Sequence, residues 1–81
     1  MLNVEIMENQ IIFTKEQIIK IVNYGKNGVY LYSAIVKIND DYFWTESKLL
    51  KDKNDKKTFD FTTLKIQKKL NEYCLEKYNL K

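Results

Sequence analysis

An 81-residue chain that is 44% hydrophobic, 14% aromatic and 31% charged has the make-up of one globular domain rather than a disordered segment. At this length only one small core is available, about 60–65% of the unfolded surface being buried on folding. No apolar run approaches the roughly 18–20 residues needed to cross a bilayer, and the opening MLNVEIMENQ is acidic where a signal peptide is basic, so a cytoplasmic protein is expected.

The net charge of +3 is unevenly spread. Residues 1–47 carry four lysines against six acids, and residues 48–81 carry ten against five. All fourteen basic residues are lysine. Bidentate reading of guanine edges is mostly an arginine task, which disfavours a sequence-specific DNA reader but leaves phosphate contact by point charges open.

Taken in order, residues 2–13 alternate loosely and predict a strand with a break, or a short hairpin. Thr14 and Gln17 then have the spacing of a capping box, Phe13 and Ile18 that of a hydrophobic staple, and Gly25 the place of a helix-ending glycine. Together they predict a helix over 15–24, against the strand preference of Ile18, Ile19, Ile21 and Val22. Lys26-Asn27-Gly28 is a turn, and Val29 to Ile38 predicts a central strand, apolar on both faces.

Asn39 to Asp41 is a turn and Tyr42 to Leu50 the returning strand. A two-residue loop places Tyr30, Tyr32, Ala34, Val36 and Ile38 beside Phe43, Thr45, Ser47 and Leu49 as the core face. The opposite face then carries Leu31, Ser33, Ile35 and Lys37 beside Tyr42, Trp44, Glu46 and Lys48. Residues 51–57 form a polar loop, and Thr58 to Phe61 a short third strand. From there to Lys81 the stripe Ile66, Leu70, Tyr73, Cys74 predicts an amphipathic helix, with Asp60 or Thr62 as its cap.

The expected fold is one α+β domain over residues 1–81, in the order β-α-β-β-β-α. Its antiparallel sheet of three or four strands has both helices packed on one face. The order α-β-β-β-α over about residues 14–79 is similar to the double-stranded RNA-binding domain. The run Thr62 to Lys69 lacks the small residue of that family's lysine-rich helix start, and its loop histidine has no counterpart. None of that family's binding residues is therefore carried over.

Histidine is absent, which removes the commonest general base and metal ligand. Ser33 and Ser47 have no base to activate them, and Cys74 is alone, as befits a small buried hydrophobe. Asp52, Asn54 and Asp55 lack the glycine and distal glutamate of a calcium loop, and Gly25 with Gly28 makes no phosphate cradle. No catalytic residue, cofactor or metal is expected.

Two surfaces are candidates for binding. One is the sheet face with Tyr42, Trp44, Leu31, Ile35, Lys37 and Lys48, whose aromatics suit a protein hot spot. The other is the basic tract Lys48, Lys51, Lys53, Lys56 and Lys57, continued by Lys65, Lys68 and Lys69. The expected function is a small non-enzymatic module that docks on a larger protein or nucleoprotein complex and inhibits it. In size and composition it looks like the short inhibitors of phages and mobile elements, anti-CRISPR proteins among them. The alternative is sequence-independent binding of RNA or DNA backbone through the lysines. No membrane partner is expected, and a homodimer through an exposed edge strand is a further alternative.

Overall fold

Asn27 and Gly28 both adopt left-handed backbone angles, φ 55° and 84°. That is the conformation a tight two-residue hairpin turn needs, and asparagine followed by glycine adopts it most cheaply. The turn is closed by the Val29 amide donating to the Lys26 carbonyl at 3.1 Å, and it joins β1 (Ile18–Asn23) to β2 (Tyr30–Ile38). A computed structural model describes residues 11–81. Most of the strand expected over 2–13 lies outside the described residues, and residues 11–13 are not in a strand.

A second two-residue turn, Asn39-Asp40, leads into β3 (Asp41–Thr45). Its register, Ile38 opposite Asp41 through Ile35 opposite Trp44, is the one expected from a two-residue loop. β4 (Lys48–Leu50) pairs with the other half of β2, and β5 (Ile66–Lys69) adds beside β3. The result, among the described residues, is a five-stranded antiparallel sheet where three or four strands are expected from sequence, in the order β1-β2-β3-β5 with β4 against β2. Two short helices, α1 (Asp55–Thr58) and α2 (Glu72–Lys77), complete an α+β fold.

Several expectations are corrected. The capping box at Thr14 is real, its amide donating to the Gln17 side chain at 2.8 Å, but it closes only a 3-10 turn, Lys15–Gln17. From Ile18 the β-branched run takes its own preference and becomes β1. The long C-terminal helix is instead a 3-10 turn at Phe61–Thr63, then β5, then α2. Thr58 closes α1 and no strand forms over 58–61. The helices also lie on opposite faces: Lys56 of α1 stands over the Tyr32 ring, whereas Tyr78 at the end of α2 stacks on Trp44. With strands at 18–23 and 66–69, the order α-β-β-β-α is not that of this chain.

One irregularity reassigns side chains between faces. Val36 faces Phe43, yet Tyr30 faces Leu50, so one extra residue is accommodated between Thr45 and Lys48. Beyond that bulge every side chain changes face. Leu50 enters the core at 9% exposed, and Leu49 turns out at 63%. Ser47 points toward Ser33 on the far face, their hydroxyls 3.3 Å apart.

The bulge is also satisfied from within. The Ala34 amide donates to the Thr45 hydroxyl at 2.8 Å, and that hydroxyl donates to the Glu46 carbonyl at 3.1 Å. Both residues are fully buried, so neither group can turn to water. Thr45→Val removes the acceptor and strands the Ala34 amide. The expected loss is about 2 kcal/mol, or roughly a 10 °C fall in thermal midpoint followed by circular dichroism. Thr45→Ser keeps the hydroxyl and is expected to recover most of it; equal losses for the two variants would mean that packing, not the hydrogen bond, matters there.

The core forms on the even-numbered face of β2. Tyr32, Ala34 and Val36 pack there with Phe13, Leu50, Phe61 and Leu64, edged by Ile18, Ile21, Phe43 and Phe59. The 3-10 turn that delivers Phe61 is capped by Asp60, whose carboxylate accepts from the Thr62 hydroxyl and from the Thr62 amide. Those two bonds, the hydroxyl's first, hold the Asp60 carboxyl below the usual aspartate range.

Candidate protein-docking site

The odd-numbered face of β2 carries a second, smaller cluster, organised around Trp44. Ile35 beneath it is fully buried, and Leu70 beside it is 5% exposed. Leu70 is placed by its amide, which donates to the Tyr42 carbonyl at 2.9 Å and so extends the edge pairing one residue past β5.

α2 is only six residues long, too short to persist by helix propensity alone. Its ends are both closed. The Asn71 side chain accepts from the Cys74 amide at 2.9 Å. At the other end Asn79, at φ 60°, lets the Leu80 amide reach the Leu75 carbonyl and the Asn79 amide reach that of Glu76. This closure sets Tyr78 as the last cap residue, and its ring stacks on Trp44 with centroids 5.7 Å apart.

Tyr24 supplies a second ring, 5.3 Å from the indole and nearly parallel to it. It is pinned at both ends: its amide donates to the Leu31 carbonyl and its hydroxyl to Ser33. Trp44 is accordingly half-buried, with two tyrosine rings against its π-surface.

Between these rings and α2 lies a shallow depression of about 270 Å³, with Trp44, Leu70, Tyr73 and Tyr78 as its apolar walls. Lys68 and Lys77 line it too, as does Cys74, half-buried and a free thiol, and among the described residues no carboxylate does. Tyr73 is 72% exposed. Such a patch, aromatic with a cationic lining, has the composition that favours macromolecular contact.

The residues singled out from sequence are divided by the fold. Tyr42 and Lys37 lie together, the ammonium 5.6 Å from the ring centroid, on the Trp44 face. Ile35 is sealed beneath that face and offers no contact surface. Leu31 is half-buried, opposite the exposed Leu49. Lys48, moved across by the bulge, stands over Phe59 on the other face. Tyr24, Tyr73, Tyr78 and Lys77 are not among the binding residues expected from sequence, where Tyr73 belongs to the apolar stripe of a long helix; the asparagine cap at Asn71 is the signal that places Tyr73 and Lys77 on a short separate helix, with Tyr78 closing it.

The lysines of the basic tract are all exposed, but they do not form one stripe. Lys51 and Lys53 are in the loop after β4, and Lys48 and Lys56 cover core-side rings. Lys68 is beside Trp44, and Lys69 pairs with Asp41 at 3.2 Å. A larger hollow of about 690 Å³ opens on the core side near Phe13, Ile21 and Phe59. Core side chains line it together with polar ones, Lys15, Lys57, Asp60 and Thr62 among them.

Among the described residues no helix is long and apolar enough to cross a membrane, and no group of three or more Cys, Asp or Glu side chains is placed to hold a metal ion. Comparison with family models, curated proteins and solved structures finds no match to this chain.

Proposed function

We propose that this chain is a small non-enzymatic binding module that docks on a larger protein through the depression beside Trp44, and obstructs that protein by covering part of it. The observation that supports the reading is the exposure of Tyr73 next to a rigid aromatic stack. A ring held out in water beside an apolar hollow is an anchor ready for use. The stack's own hydrogen bonds and caps make the hollow preformed, so little ordering cost falls on binding.

The competing reading, contact with RNA or DNA backbone, rests on the exposed lysines. Their scatter over the loop, both sheet faces and the β5 edge gives no continuous track for a strand of phosphates, which favours docking on protein.

Tyr73→Ala tests the reading, because an exposed ring can be removed with little effect on folding. Affinity capture with the wild type is expected to retain a protein that the variant loses, with binding weakened about tenfold or more, as for a hot-spot aromatic. Identical capture by both proteins would sink the proposal. So would a gel shift with nucleic acid at about 50 mM salt that accounts for all the binding seen.

A further inference from the structure

The chemistry of the partner can be read from the charge and ring geometry of the same depression, an inference that rests on the docking reading. Its charged lining is cationic, Lys68 and Lys77. Among the described residues the ion pairs engage Lys69 with Asp41 and Lys81 with Glu72, leaving Lys68 and Lys77 without a carboxylate within reach. Both are exposed, and the Lys77 ammonium is held 5.6 Å from the centroid of the Tyr78 ring. α2 also carries Glu72 and Glu76, but neither lines the depression, and Glu72 already holds Lys81.

Two such ammonium groups beside an apolar hollow call for anions next to an apolar group. Nucleic acid meets part of that description, but a run of bases needs several open aromatic faces on which to stack, and of the four rings lining the depression only Tyr73 is exposed. Here the indole's π-surface already carries Tyr24 and Tyr78. What the stacked rings still offer is their edges, which bear the positive end of the ring quadrupole and suit carboxylate oxygens and apolar side chains. The depression is also of a size to take one large side chain rather than a run of bases.

We propose that the partner presents a short acidic segment, an apolar side chain entering beside Tyr73 and Tyr78 with flanking carboxylates reaching Lys68 and Lys77. Recognition is therefore by charge and one anchor, and it weakens as salt screens the exposed pairs.

Trp44 is the chain's single tryptophan and reports on its own site. The full chain is titrated at low salt, following Trp44 emission, with the blocked pentapeptide Glu-Glu-Phe-Glu-Glu. The parallel arms are Lys-Lys-Phe-Lys-Lys, Glu-Glu-Gly-Glu-Glu and oligothymidylate. A saturable change with a midpoint of about 1 mM or tighter is expected for the acidic phenylalanine peptide. It should be at least tenfold weaker for the glycine peptide and for a Lys68→Glu, Lys77→Glu variant, and absent for the lysine peptide.

Equal response to the lysine peptide, or none to any peptide, overturns the acidic segment. A response to oligothymidylate in place of the acidic peptide assigns the site to nucleic acid and overturns it as well. The docking reading fails separately: it falls if Tyr73→Ala leaves protein capture unchanged, whichever peptide binds.

Discussion

Gly25→Ala is expected to cost about 3 kcal/mol or more, a large part of the 5–15 kcal/mol that holds a domain of this size together. The reason is steric and local. A Cβ at position 25 would run into the Val29 carbonyl oxygen, with the Val29 carbonyl carbon 2.6 Å away and the Leu31 nitrogen at 3.0 Å. All three obstacles are backbone atoms, of Val29 just before β2 and of Leu31 within it, which cannot swing aside as a side chain can. Relief requires opening the end of the hairpin, including the Tyr24 amide's bond to the Leu31 carbonyl. Tyr24 would then leave Trp44, so the loss reaches the depression beside the indole. Gly28 provides the contrast: nothing lies within 4 Å of an added Cβ there, and only its φ of 84° opposes alanine. Gly28→Ala is therefore expected to cost about 1–2 kcal/mol. Urea unfolding of the two variants gives the ranking, and a costlier Gly28→Ala would refute the account of the hairpin.

That hairpin shows what could be read from the chain and what could not. Asn27-Gly28 announced its turn, and the alternation through Tyr32, Ala34 and Val36 announced the core face, because both are consequences of local geometry at period two. The bulge after Thr45 left no such mark, since one extra residue changes no residue type; it moved Lys48 and Leu49 to the faces opposite those expected. The stripe Ile66, Leu70, Tyr73, Cys74 has helical spacing, yet Leu70 lies just past a strand end and Tyr73 in the next element. Asn71 interrupts it as a cap, and the edge of β3 offers backbone partners that residues 66–70 take in place of their own helix. At β1 the capping signals were correct about where a turn starts and silent about how long it lasts. Ile18, Ile19, Ile21 and Val22 decided that, once β2 was there to pair with.

Trp44→Ala is expected to lower stability by about 3 kcal/mol, a fall of roughly 15 °C in thermal midpoint. Removing the indole deletes two stacked pairs, each contributing about 0.5–1.5 kcal/mol beyond burial, and uncovers Ile35 and Leu70. Trp44→Phe keeps a ring between the tyrosines and is expected to cost about half as much. Tyr73→Ala, at a position largely in water, should leave the midpoint within about 2–3 °C of wild type, as exposed substitutions do. The two alanine variants are thus predicted to lose docking alike while differing widely in stability. That separation matters because a half-buried tryptophan is both scaffold and surface: a loss of binding at Trp44 alone would not tell one role from the other. Scanning calorimetry beside affinity capture resolves it. If Trp44→Ala melts with the wild type, the indole is not the keystone of the second cluster, and the preformed hollow on which docking depends is not held in the way described.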